Sequence, residues 1–295
     1  MNILLLGGTG FIGTHVKMQR PDWNWTVVNQ KNHDLTDSSQ VNKIQGKFDV
    51  IIDCAGFFGG IVFNKLHPRE ILYRNQIINM NVCRLVDRLS PKKFVAIGSA
   101  CFYPCGIDTN MTEAMIDQPG KFHSSVIYSA MSKRWLLETM RAMPVPWEYL
   151  ILSNVYGPGD PLEFDRSHFV GSIINKITQA DRDLHLLGTG VAVRDFLFVQ
   201  DAAEAICRYC ELDQATNLPT NVSTGIGTSI ADMAKIMIQQ VNPGLIINWG
   251  GDNKDNGVLH KVLDNSKMKQ DIGYVPTTSV ETGLKLTWEW INRHE

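Results

Sequence analysis

Along the first half of the chain, short apolar runs bounded by turn formers alternate with stretches of helical spacing. Asn2–Leu6, Trp25–Asn29, Val50–Cys54, Lys93–Gly98 and Tyr149–Ser153 read as strands. Near-continuous apolar runs, rather than strict alternation, belong to strands whose two faces are both covered. Between them, Leu72, Ile77, Ile78, Val82, Leu85, Val86 and Leu89 keep to one side of a helix predicted over Arg69–Leu89, which Ser90-Pro91 stops. A second helix is predicted from Tyr128 to Met143, ended by Pro144 and Pro146. The alternation predicts an α/β protein with a Rossmann-type, doubly wound parallel sheet.

From about Asn154 the connections lengthen and gain glycine and proline, as in Tyr156-Gly157-Pro158-Gly159-Asp160-Pro161. A strand over Arg194–Val199 and helices over Asp201–Tyr209 and near Ile230–Gln240 are expected. A strand near Leu245–Asn248 and a last helix near Val280–Asn292 follow. We therefore expect a smaller, discontinuous C-terminal lobe. Residues 1–155, completed by about 197–222, would form the first unit, and 156–196 with 223–295 the second.

Composition narrows the function classes. The chain has 295 residues, 44% of them hydrophobic, and a mean hydropathy of −0.11, enough apolar surface for a core and none of the signature of disorder. Its formal net charge of −2 lacks the basic excess of a nucleic-acid or membrane-surface binder, so neither partner is expected. The N-terminal apolar run ends at Gly7, too short for a signal-peptide core or a membrane span. Of six cysteines, Cys207 and Cys210 form one Cys-x-x-Cys, with no second pair or nearby His to complete a metal set. Free thiols in a reducing cytoplasm are expected, and no metal.

The candidate chemistry starts at Gly7-Gly8-Thr9-Gly10-Phe11-Ile12-Gly13, directly after the first strand and before a helical stretch. Such a turn lets a pyrophosphate approach the backbone and faces it with the free N–H groups of a helix start. Gly7, Thr9, Gly10, Phe11, Ile12 and Gly13 are therefore candidate dinucleotide contacts. The next strand ends in Asn29-Gln30-Lys31-Asn32-His33-Asp34, with no carboxylate at its tip to grip a ribose 2′-hydroxyl. An amide and a cation suit a 2′-phosphate, so NADP is favoured over NAD, with Asn29, Lys31 and Asp34 beside the adenosine ribose.

Further motifs give a resemblance. Ala55-Gly56-Phe57-Phe58-Gly59-Gly60-Ile61-Val62 with Asn64 and Pro68, Tyr73-Arg74-Asn75, Gly98-Ser99-Ala100-Cys101-Phe102-Tyr103-Pro104, Asn154-Val155-Tyr156-Gly157-Pro158, Ser167-His168 and Arg194-Asp195-Phe196 are similar to those of extended short-chain dehydrogenase/reductases. Within that superfamily the chain most resembles the GDP-L-fucose synthase family, over roughly residues 1–290. The resemblance implies cofactor contacts at Ala55, Gly56, Asn75 and Lys133. It implies nucleotide-sugar contacts at Gly60, Ile61, Asn64, Ser99, Asn154, His168, Arg194 and Lys261. Ser99 would hold a sugar oxygen, and Cys101 with His168 would exchange protons at carbons beside a ketone. Arg194 would clamp a diphosphate. A homodimer through the two long helices flanking the sheet is also implied.

One motif departs from the family. Reduction in this superfamily uses a Tyr and a Lys four residues apart, whereas Tyr128-Ser129-Ala130-Met131-Ser132-Lys133 sets them five apart. In a regular helix four residues leave side chains roughly 40° apart and five roughly 140°. Either one widened π-type turn restores Tyr128 to the site, or Ser129 fills the tyrosine slot. The first is preferred because it keeps a competent proton donor. The function expected is an NADP-dependent epimerase-reductase of a nucleotide-linked, GDP for preference, 4-keto-6-deoxy sugar. The alternatives are an epimerase or dehydratase that recycles its nicotinamide, or a non-catalytic binder of NADP and sugar nucleotide.

Overall fold

The computed structural model describes residues 1–162, 169–252 and 256–294. The chain opens with β1 (Asn2–Leu6), α1 (Phe11–Gln19), β2 (Asn24–Val28), α2 (Ser38–Val41) and β3 (Val50–Asp53). It continues with α3 (Ile61–Leu66), α4 (Pro68–Leu89), β4 (Lys93–Ser99), α5 (Ile127–Arg141) and β5 (Trp147–Leu152). Next come β6 (Asn154–Tyr156), α6 (Phe169–Gln179), β7 (Asp183–Leu187), β8 (Val193–Phe198), α7 (Val199–Glu211) and β9 (Pro219–Val222). The last elements are β10 (Gly227–Ser229), α8 (Ile230–Val241), β11 (Ile246–Gly250), β12 (His260–Lys261), α9 (Ser266–Ile272) and α10 (Val280–His294).

Six parallel strands form the main sheet in the order β2-β1-β3-β4-β5-β9. Alternate residues of each strand feed opposite faces, which is why the strands are apolar throughout. Leu4, Leu6, Ile51, Phe94 and Ala96 pack beneath α4 and α5 against Val82, Leu85, Leu136 and Met140. Ile3, Leu5, Ile52, Val95 and Ile97 pack on the other face against Val16 of α1 and Ala202, Ala203 and Ile206 of α7. The chain thus returns to the first sheet through α7 and β9. The connections leave β1 in one direction and β3 in the other, so the order reverses beside β1, and at such a switch point the strand ends open a crevice.

A second layer gathers β10, β8 and β12, with β6 also paired to β8, and a separate β7–β11 pair. Ile173, Ile177, Leu184, Leu186, Phe196, Phe198, Met233 and Met237 form its core. Asp195, fully buried on β8, ties the layers together: its carboxylate accepts from Ser153 Oγ at 3.1 Å and from Thr224 Oγ1 at 2.8 Å. Among the described residues, no helix is long and apolar enough to cross a membrane.

Candidate active site

The glycine turn is tied to β2 by the Gly7 N–H, which donates to the Val28 carbonyl at 2.9 Å. Gly7 has φ +72°, and a Cβ there would stand 2.8 Å from the Ala55 nitrogen; one on Gly13 would stand 2.4 Å from the Gly7 carbonyl oxygen. No side chain fits either place. Gly10 caps α1 without a side-chain hydrogen bond, and no acidic residue sits in the first turn. The N–H groups of Phe11, Ile12 and Gly13 precede the first intrahelical bond, from Thr14 to Gly10. An uncapped, uncharged helix start beneath a turn too tight for side chains fits a dinucleotide pyrophosphate.

At the tip of β2, Asn29 Oδ1 accepts the N–H groups of Lys31 and Asn32 at 2.9 and 3.2 Å, which curls the chain and leaves Lys31 exposed. The Asp34 carboxylate accepts both the N–H and the hydroxyl of Thr36, at 2.9 and 2.7 Å, so one of its oxygens is spent on its own turn.

Two asparagines hold the loop from Ala55 to Gly60. Asn75 of α4 accepts the Phe57 N–H at 2.8 Å and donates to the Phe57 carbonyl at 2.9 Å. Asn64 of α3 donates to the Gly59 and Gly60 carbonyls at 2.9 and 3.0 Å and accepts the Ser129 hydroxyl at 2.6 Å. Both amides are buried, and these bonds occupy them within the protein; they position Ala55, Gly56 and Gly60. Ile61, the first residue of α3, is 55% exposed.

α5 corrects the expectation for Tyr128. The helix is regular from Ile127 to Arg141, with no widened turn between Tyr128 and Lys133. Neighbours hold its register: Asn79 Nδ2 donates to the Ser132 carbonyl at 3.1 Å and the Tyr149 hydroxyl to the Lys133 carbonyl at 2.8 Å. Ser129, four residues before Lys133, is therefore the residue that shares its side of the helix, while Tyr128 is turned away and 38% exposed. The Ser129 proton is committed to Asn64.

Lys133 reaches down to the end of β4, where Nζ donates to the Ile97 carbonyl at 2.5 Å and lies 4.6 Å from the centre of the Phe58 ring. Burial lowers its proton affinity, opposed by the negative charge of Asp53. Asp53, the buried last residue of β3, accepts the Ala55 N–H at 3.0 Å, and burial pushes its carboxyl up to about 6. A carboxylate ending the run Val-Ile-Ile-Asp was a signal in the sequence that our reading passed over.

Ser99 ends β4 with its hydroxyl oxygen accepting the Cys101 N–H at 3.4 Å, a bond that does not use the hydroxyl proton. The half-buried Cys101 lies within electrostatic reach of both Lys133 and Lys261. Lys261 of β12 stands directly beside Arg194 of β8 in the parallel register. Burial lowers the proton affinity of both, to about 10 for Arg194, and for Lys261 the neighbouring guanidinium adds to the effect. Among the described residues neither has a carboxylate partner, so the pair forms a half-buried positive site open to an anion. Asn154 donates to the Asp195 carbonyl at 3.0 Å. His168 lies outside the described residues. No metal-ligating cluster occurs among the described residues.

A parallel doubly wound sheet, a glycine turn at its switch point and a Ser-x-Cys segment at the end of β4 define an extended short-chain dehydrogenase/reductase. The NAD dependent epimerase/dehydratase family model matches residues 3–224, and the chain belongs to that family. It is an NAD(P)-dependent enzyme of the oxidoreductase/epimerase kind. It is 26% identical to the GDP-L-colitose synthase of Yersinia pseudotuberculosis, over 98% of this chain and 97% of that one. It is 27% identical to the GDP-L-fucose synthase of Azorhizobium caulinodans, over 98% and 95%. Its fold matches a GDP-L-fucose synthetase of Naegleria fowleri solved with NADP, with TM-score 0.86, 22% identity and coverage of 99% and 92%.

Proposed function

We propose that the chain is an NADP-dependent enzyme of a GDP-linked 4-keto-6-deoxy sugar that inverts centres beside the ketone and reduces C4. The observation that carries this reading is that Cys101 lies within electrostatic reach of both Lys133 of α5 and Lys261, which stands beside Arg194 with no carboxylate partner for either among the described residues. A diphosphate on the pair would set the sugar over Cys101. The names of the two curated relatives supply the GDP-sugar class. Lys31, and a β2 that is followed by Asn29 rather than by a carboxylate, support the 2′-phosphate. In this reading residues 1–155 with 197–222 hold the cofactor, and the remainder holds the sugar nucleotide. Six free thiols suit a cytoplasmic setting.

The bound cofactor supplies the hydride. The chain's own residues do the rest: Lys133 would hold the nicotinamide ribose, Ser99 would donate a hydrogen bond to the ketone oxygen without giving up its proton, and Cys101 would remove or return a proton at the adjacent carbon, with His168 on the other face by motif match; the oxygen left negative by hydride takes its proton from solvent water. Ser129 in the tyrosine slot favours a second reading, proton exchange without net reduction, because an aliphatic hydroxyl already bonded to Asn64 is a poor acid. Incubating the chain with NADPH and a GDP-4-keto-6-deoxyhexose in D2O distinguishes them. We expect deuterium beside the ketone together with slower NADPH oxidation. Exchange with no oxidation establishes the second reading, and neither signal overturns both.

A further inference from the structure

His123 belongs to none of the motifs, yet it stands where the two lobes meet. It precedes the short 3-10 turn Ser124–Val126 that leads into α5. Its Nδ1 accepts the Ser125 N–H at 3.3 Å and lies 2.7 Å from Ser125 Oγ. A ring nitrogen that accepts a backbone N–H carries no proton, so the neutral ring holds its proton on Nε2. The cations Lys261 of β12 and Arg194 of β8 lie within electrostatic reach of this ring. His123 Cε1 and Arg194 Nη2 each lie 3.9 Å from the one point beside Gly257 where a Cβ would stand. The two side chains therefore approach a single small space from opposite lobes. Burial first, and then the two cations, hold the ring's proton affinity below that of a free histidine. An anion entering this space would offset the two cations and accept the ring's Nε2–H.

We propose that His123 is a substrate-contacting residue whose Nε2–H completes, with Arg194 and Lys261, a three-sided cradle for the diphosphate of the nucleotide sugar. The proposal rests on the nucleotide-sugar reading above and adds to it a contact from the cofactor-side lobe, which closes the cradle across the cleft. Ser125 fixes the ring so that Nε2 is the atom presented. Because the anion offsets the two cations, binding also favours a second proton on the ring, so affinity strengthens as pH falls. The charged groups facing the ring are Arg194 and Lys261, and Ser125 is its neighbour on its own element.

The test uses the full-length chain with GDP-mannose, whose diphosphate does not titrate near neutrality, and with inorganic pyrophosphate. NADPH titration reports that each variant is folded. His123→Phe should weaken both ligands about 10- to 100-fold, the scale of a hydrogen bond to a charged group, with NADPH affinity unchanged. His123→Gln keeps an N–H donor and cannot titrate, so it should retain part of the affinity and lose the strengthening seen in the unmodified chain between about pH 8 and pH 6. Unchanged pyrophosphate affinity in His123→Phe, or one pH profile shared by His123→Gln and the unmodified chain, overturns the proposal. An unmodified chain that binds pyrophosphate but not GDP-mannose refutes the nucleotide-sugar reading, while the variants still decide the role of His123. Binding of neither ligand overturns both.

Discussion

Asp53 couples the candidate cofactor site to pH through a single buried carboxyl. Its proton is held up to about 6 in the folded chain by burial, against 3.8 for the ordinary group. Between those values the unfolded chain ionises while the folded one does not, so this residue's contribution to stability falls as pH rises and its penalty is complete above about 6. A difference of about two pH units corresponds to about 3 kcal/mol. Asp53→Asn keeps an oxygen for the Ala55 N–H and removes the titration. Relative to the unmodified chain, its stability should therefore rise by up to about 3 kcal/mol between pH 4 and pH 7, as read by urea unfolding at both. A constant difference between the two proteins would remove Asp53 as the source. Lys31 supports a second expectation at this scale. It is exposed and would meet only a 2′-phosphate, so Lys31→Ala should weaken NADPH about 5- to 10-fold and leave NADH unchanged, checked by titrating both.

The elements around the site show why some of it was legible in the sequence and some was not. β1, β3, β4 and β5 announce themselves because each is covered on both faces, and the glycine turn because its backbone leaves no room for side chains. β6, β10 and β12 have only two or three residues, too few for any period, and owe their existence to β8. The meeting of Lys261 with Arg194 is a fact of strand register, and the approach of His123 and Arg194 beside Gly257 joins segments far apart in sequence; neither leaves a local trace. The Tyr128 expectation weighed a catalytic need against helix geometry, and contacts from α3, α4 and β5 hold the helix regular. Tyr128→Phe should accordingly change turnover less than twofold, whereas Lys133→Met should lower it at least 100-fold, both read with a keto-sugar nucleotide. The loop from Ala55 to Gly60 depends on Asn75, whose three hydrogen bonds reach Phe57 twice and Ile71 once. Asn75→Ala leaves the Phe57 N–H and carbonyl unpaired, so we expect a loss of about 1–3 kcal/mol in thermal unfolding together with weaker NADPH binding. Loss of stability with full cofactor affinity would separate this loop from the cofactor.

For the whole molecule, the exposed apolar surface of α4 and α5 is the feature left without a partner within the chain. Tyr73, Ile77 and Met80 are 62%, 43% and 42% exposed and follow one another at spacings of four and three along α4. Met131, 42% exposed, lies on α5, which packs beside α4. Scattered single hydrophobics are ordinary on a surface, but a stripe along the exposed face of a helix is a place for association. The Arg134, Arg141, Asp117 and Glu138 ion pairs beside α5 would give such a patch a polar rim. A second copy of the chain is the occupant we propose, since a two-fold axis lets α4 and α5 meet their equals and covers the stripe on both copies. In a two-fold interface every substitution enters twice. Ile77→Asp with Met80→Asp would then place four charges where four apolar side chains meet. The unmodified chain should sediment as a dimer at micromolar concentration, and the double variant as a monomer with unchanged NADPH affinity, because neither residue approaches the glycine turn. An unmodified chain that sediments as a monomer refutes the pairing. A double variant that stays dimeric moves the interface to another face of the molecule.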